Sequence, residues 1–203
     1  MARREQMSVG ELTINKGIRA GKLLKLMKVL KFFVCVPALI VADRYFASAA
    51  MHNGAYTIAN NGLPGDGLAH NVTCAQTAVD VEDTNGTLTI TGLDVDGNVI
   101  SEVLIPDAGV TVQGTKAFAK VTSIVGAGWA QGGTGADTIV IGFGEVVGLP
   151  DKLAAAADVL MVAHNTALVN APTVTVDAAV LSKNTVTVPT GDGTKKLRVL
   201  YQV

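Results

Sequence analysis

From about residue 55 onward the chain breaks into short runs of β-branched and apolar residues, separated every few residues by Gly, Asp, Asn or Pro. Spacings near 8–12 residues between turn signals are those of sandwiches and barrels, where strands are short and connections tight. Leu88-Thr89-Ile90-Thr91 alternates apolar and hydroxyl side chains with period two, as a half-buried strand does. Asp94-Val95-Asp96-Gly97-Asn98 follows, then a second run from Val99 to Ile105. Asp-Gly supplies the positive φ of a tight turn, so a hairpin is predicted here. Further strands are expected through Val110–Val112 paired with Phe118–Ile124, and through Thr138–Phe143, Val174–Val176, Thr185–Val188 and Leu197–Tyr201, with Gly191-Asp192-Gly193 turning the last two into a hairpin. Asp151 to Ala163 carries four consecutive alanines and reads as a turn of helix followed by a strand over Val159–Val162.

Composition agrees: 49% of the residues are hydrophobic but only 4% aromatic, and Ala, Val, Gly and Thr dominate. Such residues suit pleated surfaces and turns more than helices. The expected fold class is all-β, a β-sandwich or jelly-roll-like body over residues 51–203, preceded by an extended or partly helical N-terminal arm over residues 1–50.

Charge draws that division. Up to Ala50 there are nine Lys/Arg against three Asp/Glu, and beyond it seven against fourteen, so a net of +6 faces a net of −7. A basic arm on an acidic body marks a segment that meets an acidic partner, a membrane or nucleic acid. Within the arm, Ser8 and Glu11 have the spacing of a capping box and Pro37 can end a helix. Lys16, Arg19, Lys22, Lys25, Lys28 and Lys31 recur every third residue, advancing about 300° per step on a helix, so they spiral instead of sharing a face. The apolar stretch Phe32 to Ala42 is about 11 residues, short of the roughly 20 that span a bilayer, so a membrane partner is not expected. Met27, Lys28 and Lys31, that apolar stretch and Ala47-Ser48-Ala49 also trace the outline of a secretory leader, and a start at Met27 stays open.

The block TLTITGLDVDGNVISEVL, then VQGTKAFAKVTSI, DTIVIGFGEVVGLPDKL and APTVTVDAAVLSKNTVTVPTGDGTKKLRVLYQV resembles a recurring type of tailed-phage virion structural protein. The likeness spans roughly Leu68 to Val203 and lies in the order of the blocks. It implies a non-enzymatic capsid decoration protein on the outer surface of the virion, a homotrimer that stabilises the shell by binding the major capsid protein. The arm lies outside the resemblance. Its candidate partner contacts are the cations Lys22, Lys25, Lys28 and Lys31 and the apolar anchors Leu30, Phe32, Phe33 and Ile40. A tail or fibre component, or a secreted bacterial β-domain, are the alternatives.

No catalytic, cofactor or metal site is expected. Gly142-Phe143-Gly144 with Gly148 lacks the helix that a dinucleotide loop needs, and these read as turn or bulge glycines. Asp94, Asp96 and Asn98 imitate half a calcium loop, but position twelve is Ile105, so turn chemistry explains them. His52, His70 and His164 are dispersed and read as surface or packing residues. Asn71-Val72-Thr73 and Asn85-Gly86-Thr87 match a glycosylation sequon that has meaning only in a eukaryotic secretory setting. Cys35 and Cys74 form no framework and read as reduced small hydrophobes. With few aromatics and no basic patch on the body, no specific nucleic acid is expected, and Lys195, Lys196 and Arg198 read as guards of a strand edge.

Overall fold

The computed structural model describes residues 28–77, 83–133, 137–189 and 191–203. The fold is all-β and sandwich-like. Its strands are β1 (Leu30–Cys35), β2 (Val41–Ala50), β3 (Gly54–Ala55), β4 (His70–Thr77), β5 (Thr87–Leu93), β6 (Val99–Leu104), β7 (Thr111–Phe118), β8 (Lys120–Ala127), β9 (Thr138–Gly148), β10 (Val159–His164), β11 (Ala167–Leu168), β12 (Val174–Thr175), β13 (Thr185–Thr187) and β14 (Leu197–Gln202). Between them the described residues form only single 3-10 turns, at Asn60–Gly62, Ala156–Asp158 and Leu181–Lys183.

Three antiparallel sheets result. The first runs β3-β8-β5-β6, the second β12-β13-β9-β4-β7 with β2 also on β9, and the third β1-β14-β10-β11. The second sheet is the shared layer, and its longest strand, β9, links two cores. Ile139, Ile141 and Phe143 pack with Leu88, Ile90, Ile124, Phe118 and Tyr45 of the first core. Val147, at the far end of β9, packs with Val186, Leu197, Val199, Tyr201 and Cys35 of the second. Each fully buried aliphatic or aromatic side chain contributes about 1.5–3 kcal/mol, so the period-two pattern decides which face of each strand turns inward.

The β5–β6 hairpin forms as expected, with Leu88 opposite Leu104 and Leu93 opposite Val99. Asp94 Oδ1 accepts from the backbone N–H of Asp96 and of Asn98, at 3.0 and 2.9 Å, and Gly97 takes φ +81°. The carboxylate is thus occupied by its own turn. The 3-10 turn at Ala156–Asp158 followed by β10 also matches the sequence reading.

Several expectations do not hold. Val110–Val112 and Phe118–Ile124 do not pair: β7 pairs with β4, β8 pairs with β5, and the chain changes sheets across Ala119, whose N–H is bound by Leu93 O at 2.8 Å. The turn at Gly191–Gly193 exists, and Asp192 Oδ1 accepts from the N–H groups of Thr194 and Lys195 at 2.9 and 2.8 Å, but it does not make a hairpin. β13 lies against β9 and β12, while β14 lies between β1 and β10. Arg198 therefore sits on a central strand and guards no edge. A helix closed by Pro37 is also absent, because Leu30–Cys35 is a strand on β14, where alternating Leu30, Phe32 and Val34 find a long-range partner.

The charge boundary near Ala50 likewise marks no break in the fold. β1 is hydrogen-bonded to the C-terminal strand and β2 to β9, and Cys35 and Tyr45 are core residues. Ser8, Glu11, Lys16, Arg19, Lys22 and Lys25 lie outside the described residues.

Candidate interaction surface

A strand 11 residues long that feeds two cores must bend, and β9 does so between the pairs Phe143–Val72 and Val147–His70, where it spends four steps against two on β4. Such a bulge leaves backbone groups without ladder partners, and buried ones need others. His70 and Asn71, both buried, supply them. His70 Nδ1 lies 3.2 Å from Gly144 O, and Asn71 Oδ1 accepts from Val146 N–H at 3.2 Å. Gly144 is a glycine because a Cβ there would stand 2.7 Å from Asn71 Oδ1, and Gly142 because one would stand 2.0 Å from Val41 O. The glycine run thus serves a bulge and the close approach of β2.

His70 is held in turn by Asp66, whose Oδ2 lies 2.8 Å from its Nε2. The Asp66 carboxylate also accepts from Ala38 N–H at 2.8 Å and Leu68 N–H at 3.0 Å. Burial alone would raise this carboxyl, but the hydrogen bond and charge of His70 and the two backbone donors outweigh it and hold it at about 2. Asp66 thereby clamps the connection between β1 and β2. Asn184 has a similar internal role: its Oδ1 accepts from Leu153 N–H at 2.9 Å, and its Nδ2 donates to Asp177 O and Val180 O at 2.8 and 2.9 Å.

Several other chemistry-bearing residues are taken up by packing, whereas His164 Nε2 is buried with no hydrogen-bond partner among the described residues. His52 stacks on Tyr56 with ring centroids 4.1 Å apart, Asn71 of the first sequon is buried, and burial pushes both the Cys35 and the Cys74 thiols up to about 12. Among the described residues no group of three or more His, Cys, Asp and Glu is placed to hold a metal ion. No helix of the described residues is long and apolar enough to cross a membrane.

The outer side of the third sheet carries several exposed apolar side chains. Register across the third sheet sets Phe32 opposite Leu200 and Leu200 opposite Met161, while Val34, Arg198, Ala163 and Leu168 form the adjacent row. Residues directly opposite share a face, so Leu30, Phe32, Val34, Leu200, Met161 and Leu168 occupy one outer face, with Leu30 62% and Leu168 65% exposed. At one end of that face Asp158 is bonded by Lys28 and Gln202. The Lys28 hydrogen bond, foremost, holds the Asp158 carboxyl below its ordinary range. At the other end Arg198 donates to Asn165 O. A second such face lies on the first sheet, where Val103, Thr89 and Val125 are in register and Val99 is 75% exposed.

Of the candidate arm contacts, Leu30 and Phe32 stand on this outer face and Ile40 is exposed on the connection to β2. Phe33 turns the other way and packs against the second core. Lys28 and Lys31 are paired within the chain, to Asp158 and Asp151. Asp151 also accepts from Tyr201 Oη at 2.6 Å. The arm residues are thus brought onto one sheet with Leu200, Met161 and Leu168, which the sequence reading did not single out. Their only signal was the alternation of Leu197–Gln202, which does not say which of its two faces is buried.

No protein-family model, curated protein or solved structure matches the chain.

Proposed function

We propose that this chain is a non-enzymatic structural protein of a tailed-phage virion, one that decorates the capsid and stabilises it by binding major capsid subunits at the outer surface. The observation that supports this reading is the outer face of the third sheet. Leu30, Phe32, Val34, Leu200, Met161 and Leu168 share it, with Arg198 among them and Lys28 and Asp158 at one end, and apolar patches rimmed by polar groups mark protein docking sites. The order of the sequence blocks supports the virion setting.

The structure also changes how the arm should be tested. Removing residues 1–50 would delete β1 and β2 and with them two core residues, Cys35 and Tyr45. Substitution on the exposed face is the cleaner perturbation. Purified phage heads lacking the protein are mixed with the full chain, and occupancy is read by sedimentation and cryo-electron microscopy. Stoichiometric binding is expected, with strong loss for Leu168→Lys, which alters an exposed side chain. Absence from heads, or density on the tail or fibres, overturns the assignment.

A further inference from the structure

A strand at the end of a sheet presents unpaired N–H and C=O groups, and proteins usually cover such an edge or guard it with charge. Most edges here are short or covered. β3, β11 and β12 are two residues each. The outer side of β6 is tied to β7 at its middle, where the Glu102 carboxylate accepts from Thr115 N–H at 2.8 Å and Lys116 Nζ donates to Ser101 O. The free side of β2 is bound by Ala59 N–H to Tyr45 O and by Asn60 Nδ2 to Arg44 O. Next to β11, β10 is closed by Val169 N–H on Val162 O. Among the described residues β1, six residues long, is the extended edge that nothing covers.

The direction of its free groups follows from the ladder. Val29 and Val203 exchange both N–H to O bonds, at 2.9 and 3.0 Å, so they are a hydrogen-bonded pair. Such pairs alternate along an antiparallel ladder. Lys31, Phe33 and Cys35 therefore bond to β14, and Leu30, Phe32 and Val34 point their N–H and C=O groups away from it. These three also carry the exposed apolar side chains, at 62%, 55% and 46%. Lys28 and Lys31, the described cations of this segment, are paired within the chain to Asp158 and Asp151, so neither is free to guard the edge.

We propose that β1 is a two-fold joint at which a second copy of this chain adds, antiparallel and centred on Phe32. In that register Phe32 meets Phe32 of the second copy and Leu30 meets Val34 of the second copy. All three outward-facing residues of each strand then find partners, on one continuous apolar face. On the inner face Lys31 meets Phe33 of the second copy, so no like charges are opposed. Shifting the pairing to set Leu30 against Phe32 brings Lys31 against its own copy and leaves Val34 without an apolar partner. The β1 strand is thus complementary to itself, as an isologous contact requires, and the joint extends the four-stranded sheet across two protomers. This inference concerns the protein in solution and does not depend on the virion reading. It places a two-fold contact where the sequence resemblance implies a three-fold assembly.

The test is the mass of the full chain by sedimentation velocity and light scattering. The expected species is a dimer of the 20.9 kDa chain, and Phe32→Lys, which sets two cations against each other on the axis, halves the mass with an unchanged circular dichroism spectrum. Register is read from cysteine variants under mild oxidation. Cα atoms of a hydrogen-bonded antiparallel pair lie about 5.5 Å apart, within disulfide reach. Phe32→Cys therefore crosslinks to itself, whereas Leu30→Cys does so only when mixed with Val34→Cys. A monomeric wild-type chain, an assembly that Phe32→Lys leaves intact, or Leu30→Cys crosslinking to itself as readily as Phe32→Cys would each overturn the proposal.

Discussion

Replacing Asp66 by alanine should unhook the β1–β2 connection from the body, and the cost can be worked from its bonds. The carboxylate takes three donors, Ala38 N–H, Leu68 N–H and His70 Nε2, all within 3.0 Å. Its side chain is 8% exposed and that of His70 1%, so little water stands ready to replace it. Deleting the carboxylate leaves three donors without their acceptor, and at about 1–3 kcal/mol for each buried donor left unsatisfied, a total of about 3–5 kcal/mol is expected. At a urea dependence of about 2 kcal/mol per molar, the unfolding midpoint should fall by about 1.5–2.5 M. Hydrogen exchange at the Ala38 and Leu68 amides should accelerate with it. The pH dependence gives an independent check. The native carboxyl sits at about 2, against about 3.9 in an unfolded chain. A depressed native pKa contributes stability that is fully present above the unfolded value and is lost as pH falls toward 2, here about 2–3 kcal/mol. Between pH 5 and pH 2 the wild type should therefore lose that much more stability than Asp66→Asn, which does not titrate. A cost below about 1 kcal/mol for Asp66→Ala, or identical acid profiles for wild type and Asp66→Asn, would refute the clamp.

Two further outcomes follow from glycine and cysteine environments. Gly142→Ala should cost about 3 kcal/mol or prevent folding, since its Cβ would meet the Val41 carbonyl, whereas Gly97→Ala, in open space at positive φ, should cost only about 1 kcal/mol in thermal or urea melts. With both thiols pushed up to about 12 and buried, Cys35 and Cys74 should resist a thiol reagent at pH 8 until the chain is unfolded; rapid labelling of the native protein would contradict their place in the cores.

Local chemistry was legible along the chain wherever the answer is itself local. β5 and β6 could be read because alternation, Asp94 and Gly97 fall within a few residues of one another, and β10 because its preceding turn is contiguous with it. Asp66 and His70 were not legible as a pair. Four residues apart where irregular backbone enters β4, they have no helical face to share, and His70 is placed by a bulge in β9 more than 70 residues away. The same holds for the arm. Its composition marked Leu30, Phe32, Phe33 and Ile40 alike as partner contacts; the first, second and fourth are exposed, and nothing near them revealed that Phe33 packs against a core.

By itself, then, the sequence determined an all-β body, most of its strands and the turns built on Asp and Gly, because backbone preference and side-chain alternation act over a few bonds. Tertiary structure alone decided which strands became neighbours. β1 found β14 more than 150 residues away, β13 and β14 parted into different sheets despite the turn between them, and Lys28 and Lys31 found acidic partners more than 100 residues away. Those choices rest on which apolar faces bury each other best, a sum over the whole molecule that no window of sequence contains. Among the described residues they also leave the edge of β1 and the apolar face beside it open, and the proposed contacts of this protein lie there.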